Sequence, residues 1–123
     1  MNSRNKGVRG ELEWRDELTR RGYTAERGQQ HAGGGDSPDV IHDIPGVHFE
    51  VKRTERFSLY AAVDQARYDA SCSLEPKMPV VVHRCNGNRG KRTSCRGDWL
   101  IVLGADDYFQ LLKDAGHGPI STT

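Results

Sequence analysis

Val47-His48-Phe49-Glu50-Val51-Lys52-Arg53 is the stretch on which the reading of this chain turns. Apolar and polar residues alternate through it, the period of a β-strand with one face toward a core. Val47, Phe49 and Val51 fall on one face, and His48, Glu50 and Lys52 on the other. A carboxylate and an amine are therefore neighbours on one surface of one strand.

Upstream of it, residues 39–42 (Asp39 to His42) predict a second strand, joined through Asp43, Ile44, Pro45 and Gly46, which is turn chemistry at hairpin length. Residues 23–27 predict a short strand, followed by a polar connection over 28–37 that contains Gly33, Gly34 and Gly35. Residues 5–21 predict a helix, with strong formers, no proline, and Gly22 placed to stop it. At about 100° per residue, Val8, Leu12, Trp14 and Leu18 share an arc of roughly 160°, and Glu11 projects near its middle. An acid thus points where the core should be. Arg15 falls in the same arc, so a surface pair of Glu11 with Arg15 one turn later is the competing account.

Downstream, residues 58–72 predict a helix, with Ser58 as its cap and Leu59, Ala62, Val63, Ala66 and Ala70 at helical spacing. Residues 79–84 contain Val80, Val81 and Val82, a continuous apolar run of the kind found in a central strand covered on both faces. Residues 98–103 read as another buried strand, 105–115 as a last helix, and 116–123 as a frayed tail. The order helix, three strands, helix, two strands, helix predicts an α/β domain over residues 1–123, a mixed central sheet flanked by helices.

The chain has 123 residues, 35% hydrophobic and 28% charged, which suits one folded domain with a polar surface. No stretch approaches the roughly 18 apolar residues that span a bilayer, so no membrane role is expected. Cys72, Cys85 and Cys95 are odd in number and form no CxxC pair, and a reducing cytoplasm is expected. His83, Cys85 and Cys95 lack the short spacing and fourth ligand of a zinc site. Net charge is only +1, yet Arg84, Arg89, Lys91, Arg92 and Arg96 lie in a loop over 84–97 without an acid, and Arg4, Lys6 and Arg9 precede Glu11. Cations held apart from a set of acids suit a protein that grips a polyanion and also binds a metal through carboxylates. Arg4, Lys6, Arg9, Arg89, Lys91, Arg92 and Arg96 are the expected phosphate contacts, the alternative being a solvated hairpin.

Hydrolysing a phosphodiester requires divalent cations on the scissile phosphate, an activated water and stabilisation of the leaving oxygen. Magnesium takes oxygen ligands, which makes Asp39 and Glu50 the candidates for its site. Lys52 lies two residues past Glu50 on the same face, placed to orient water or neutralise charge, and Glu11 approaches from the first helix. A Glu-x-Lys triplet alone arises by chance in about half of chains this long. Its strand context, the Pro38-Asp39 pair upstream and the helical acid make the combination specific. The plain alternative is a set of acids and a lysine on a solvated strand face.

Through Ser37-Pro38-Asp39-Val40 and Glu50-Val51-Lys52 the sequence resembles the PD-(D/E)xK nuclease superfamily. Within it, Asn5-Lys6-Gly7-Val8-Arg9-Gly10-Glu11, the element order and the size resemble archaeal-type Holliday junction resolvases and their phage-encoded relatives. The resemblance implies a restriction-endonuclease-like core in which Asp39, Glu50 and the Val51 carbonyl ligate magnesium, with manganese able to substitute. Glu11 would complete the acidic site and Lys52 would assist the attacking water. It further implies a homodimer that nicks four-way DNA junctions in recombination and repair, in a bacterial or phage-infected cell. Gln65, on the helix after the lysine strand, matches a place where such nucleases sometimes carry an accessory glutamine, and the Ser37 hydroxyl has an assisting role open to it. His31 is an accessory candidate that competes with a merely solvated loop histidine. The readings set against this one are the same chemistry on flaps, single strands or restriction-type sites, and a non-catalytic DNA-binding module.

Overall fold

The computed structural model describes residues 3–28, 40–54, 57–84 and 98–120, with side chains from residue 7 onward. The elements are α1 (Ser3–Arg20), β1 (Ala25–Arg27), β2 (Val40–His42), β3 (Val47–Lys52), α2 (Leu59–Ser71), β4 (Met78–His83), β5 (Leu100–Val102) and α3 (Ala105–Asp114). The architecture is mixed α/β, with three helices and two sheets among the described residues. None of those helices is long and apolar enough to cross a membrane.

Gly22 ends α1 as its position predicts. It takes φ +96°, a left-handed conformation that costs a residue without Cβ nothing. The Gly22 N–H then donates to Thr19 O and the Tyr23 N–H to Leu18 O, both at 3.0 Å, the bond pair of a Schellman stop.

The strands fall into a two-stranded sheet, β1 antiparallel to β2, and a three-stranded sheet in the order β3-β4-β5. The second sheet is mixed. β3 and β4 run parallel from Val47 beside Met78 to Lys52 beside His83, and β5 is antiparallel to β4. The expected hairpin between β2 and β3 does not form, because β2 pairs with β1 instead, Ala25 opposite His42 and Arg27 opposite Val40. The turn residues are bound elsewhere. The Asp43 N–H donates to Thr24 O at 3.2 Å, Asp43 Oδ1 accepts from the Thr24 N–H at 3.1 Å, and the Ile44 N–H donates to His42 Nδ1 at 3.1 Å. The Gly46 carbonyl accepts from the Met78 N–H at 2.8 Å, which starts the parallel ladder.

Alternation along β3 and β4 sorts the core into two layers. Phe49, Val51, Val80 and Val82 face α1, where they pack on Trp14 and Leu18 together with Val40 of β2. The Trp14 ring meets Phe49 edge-on at 5.2 Å and Trp99 at 5.0 Å. On the other face Val81 packs against Ala62 and Ala66 of α2. Val80, Val81 and Val82 are all buried, as a central strand between two layers requires.

Two expectations at the far side fail. β5 is not buried: Leu100 is 59% and Ile101 57% exposed, because β5 pairs only with β4 among the described residues and α3 buries none of its own side chains. Ser58 does occupy the N-cap position of α2, but its hydroxyl makes no cap hydrogen bond.

Candidate functional site

The polar face of β3 lies under α2, and the helix composition explains how. Ala62, Ala66 and Ala70 recur every four residues as its buried stripe, so only methyl groups separate helix from sheet along that line. Polar side chains of β3 fit beside the stripe. Three of them follow one another along the strand: His48, 6% exposed, Glu50, 2% exposed, and Lys52, which reaches toward solvent. Gln65 and Asp69, four residues apart on α2, meet this row from the helix side.

The distances give each carboxylate oxygen of Glu50 its own neighbour. Lys52 Nζ lies 3.8 Å from Oε2 and His48 Nε2 lies 3.9 Å from Oε1. A buried carboxylate without nearby positive charge would cost several kcal/mol in desolvation. Lys52 supplies that charge, and its ammonium also donates to Gln65 Oε1 at 3.0 Å. The lysine is thereby aimed by two groups. Glu50, Lys52 and Gln65 are brought together as a set.

Glu11 is buried, 5% exposed, within the apolar arc of α1. The alternative pairing with Arg15 does not occur, since Arg15 binds Asp16 at 2.8 Å. Glu11 Oε1 instead accepts from Arg27 Nε of β1 at 3.0 Å. α1 covers the Phe49 and Val51 face of β3, so Glu11 comes to the strand from the side opposite Glu50. It approaches near the strand's end, for Gly10 beside it abuts Val51 and Arg53.

At that same end a carboxylate gathers arginines. Glu13 Oε1 accepts from Arg53 Nε at 2.6 Å, while Arg9 Nε and Arg84 Nη1 lie 3.6 and 3.7 Å from Oε2. Arg53 follows β3 and Arg84 follows β4, and the parallel pairing puts both beside Lys52. Arg84 also lies 5.8 Å over the Trp99 ring. Arg9 keeps half of its side chain exposed, as a phosphate contact needs.

Asp39, Ser37, His31, Arg89, Lys91, Arg92, Arg96, Cys85 and Cys95 lie outside the described residues, as do the side chains of Arg4 and Lys6. His83 is engaged on its own terms, with Nε2 3.1 Å from the Thr54 carbonyl oxygen and its ring stacked on Phe57 at 4.0 Å.

Sequence reasoning passed over His48 and Asp69. The first was visible, because the alternation that pairs Glu50 with Lys52 includes His48. The second follows from Gln65, since residues four apart share a helix face. Arg27 as the partner of Glu11 had no local signal, being set by how β1 docks beside α1. No protein-family model matches the chain, and no curated protein or solved structure matches it.

Proposed function

We propose that this chain is a magnesium-dependent DNA endonuclease of the PD-(D/E)xK type, with a restriction-endonuclease-like core, that resolves branched DNA as a homodimer. The observation that carries the reading is the buried Glu50 carboxylate 3.8 Å from the Lys52 ammonium on one strand face, with Gln65 holding the lysine. The donors expected for a hard cation are the Glu50 and Asp39 carboxylates and the Val51 carbonyl, with Glu11 reaching the strand's end from its opposite face. Magnesium held there would polarise the scissile phosphate and lower the pKa of a bound water, and manganese would serve in its place.

The chain's own groups do the rest. Lys52, fixed between Glu50 and Gln65, offers its protons to the attacking water or to a phosphate oxygen, and its charge offsets the negative charge that builds there. Arg27 neutralises Glu11, so a second acid can lie close to a polyanion. Arg9 and Arg84, which gather on Glu13 near the end of β3 and keep 53% and 34% of their side chains exposed, offer positive charge to phosphates flanking the cut. Phosphate contacts carry no sequence information, which favours recognition of DNA shape. The dimer reading draws support from the exposed apolar side chains Tyr108, Phe109 and Leu111 of α3 and Leu100 and Ile101 of β5.

The test is cleavage of a four-way junction, a linear duplex and a single strand by purified protein in magnesium. The junction is expected to be cut in preference, with 5′-phosphate products. Glu50→Gln and Asp39→Asn should abolish cutting while junction binding survives, and Gln65→Ala should reduce it less than Lys52→Ala. Equal cutting of all three substrates would reject junction selectivity. Undiminished cutting by Glu50→Gln would reject the site itself.

A further inference from the structure

The row under α2 continues past Glu50, away from Lys52, to His48, where Asp69 of the helix joins it. His48, Glu50 and Asp69 each offer one ligand atom, and these atoms all lie within 4.8 Å of one another. Two of the three residues are buried, and Asp69 is partly open to solvent, which gives an ion a way in. We propose that His48, Glu50 and Asp69 form a second binding site, for a divalent transition metal of the zinc class, which shares Glu50 with the magnesium site at the other end of the row.

Three points separate three ligands within 4.8 Å from three neighbours by chance. The first is reach. A cation centred among them lies no more than about 2.8 Å from any of the atoms, and small side-chain rotations reach the about 2.0–2.2 Å of zinc bonds to imidazole and carboxylate. The second is charge. The buried Glu50 carboxylate lies within 4.8 Å of the Asp69 carboxylate carried by α2, and like charges this close repel. A dication closes that account at the Asp69 end. The third is ligand type. One imidazole with two carboxylates supplies three N/O donors and leaves a bound ion open to a further ligand, and the imidazole favours zinc, copper, iron or nickel over magnesium.

The backbone supports the arrangement. His48 and Glu50 are two residues apart on a strand hydrogen-bonded along its length to β4, so their side chains are held parallel. Asp69 comes from a helix fixed against the same strand by Ala62, Ala66 and Ala70. Glu50 is shared: Oε2 faces Lys52 and Oε1 faces His48. Metal on the rear oxygen would draw charge from the front one, which ties occupancy of this site to the site proposed for catalysis.

The experiment uses the full chain with Cys72, Cys85 and Cys95 changed to serine, so that no thiolate can bind the probe. Co2+ and Zn2+ are titrated by calorimetry and cobalt absorption, with bound metal counted after gel filtration. The expected result is one ion per chain, weakened in Asp69→Asn by more than the about 10–100-fold that loss of an outer-shell partner costs. His48→Gln should behave alike. Zinc should also raise the Tm of the parent, and that shift should vanish in Asp69→Asn, whose helix can be checked by circular dichroism. Asp39→Asn should keep the ion while losing DNA cleavage, which separates this site from the nuclease reading. No bound ion in the parent, or unchanged affinity and Tm shift in Asp69→Asn, would overturn the proposal.

Discussion

Two glycines three residues apart on α1 make opposite responses to the same substitution. In a helix interior, alanine is favoured over glycine by about 0.8–1 kcal/mol, through backbone entropy. At Gly7 an added Cβ meets nothing within 4 Å, so Gly7→Ala should collect most of that gain. At Gly10 the new carbon would sit 2.9 Å from Arg53 Cβ and 3.5 Å from Val51 Cγ1. Arg53 Cβ is anchored to the chain just past β3, and its guanidinium is held by Glu13 at 2.6 Å, so the neighbour cannot swing aside. Overpacking of this kind costs about 1–3 kcal/mol, which cancels or exceeds the helix gain. Gly10→Ala should therefore be neutral to about 2 kcal/mol destabilised, and the two variants should differ by about 1–3 kcal/mol. Urea unfolding at one pH, followed by circular dichroism and by tryptophan fluorescence, measures the difference directly. Trp14 reports on the same interface, since it packs between α1 and Phe49. Equal stabilisation of the two variants would show that α1 does not touch β3 at Gly10, and would remove the basis for placing Glu11 beside the strand's end.

Burial, foremost, pushes the His42 pKa below its ordinary value near 6.5, with the charges of Lys77 and His48 adding to the shift against an opposing hydrogen bond to the Val47 backbone and the charge of Asp43. The unfolded chain then binds the proton more readily, so the stabilisation is present in full above about 6.5 and is lost as pH falls toward the folded value. Urea unfolding at pH 7.5 and 5.5 should show that loss, and it should shrink in His42→Gln; an equal loss in the variant would assign it to another group. Phe109→Asp on the exposed face of α3 should convert the proposed dimer to monomer in analytical ultracentrifugation while the fold persists, and a parent that sediments as a monomer, or an unchanged sedimentation coefficient, would refute this interface.

The parts of the fold visible in the chain are those that one element decides alone. Val80, Val81 and Val82 announce a strand covered on both sides, and alternation across residues 47–52 sorts Phe49 from Glu50 without help from any other segment. Gly22 marks the end of α1 for the same reason, and Glu11 inside an apolar arc announces its burial. What failed depends on partners. Residues 99–102 are as apolar as β4, yet whether a strand is covered is settled by whether a helix returns over it, and α3 does not. The turn through Asp43, Ile44, Pro45 and Gly46 is locally fit for a hairpin, but β1 captures β2 and the Gly46 carbonyl recruits β4. In the site, Glu50 and Lys52 could be paired from strand period alone. The Gln65 contact and the Asp69 cluster required the docking of α2 in three dimensions.

The alanine stripe of α2 couples the two ends of the row beneath it. Because Ala62, Ala66 and Ala70 set one clearance between helix and sheet, a larger side chain at any of them would raise the helix as a rigid rod. Gln65 would be lifted from Lys52 and Asp69 from Glu50 in a single movement. The two ends therefore cannot be tuned independently by repacking, and any descendant of this chain that alters one inherits a change in the other.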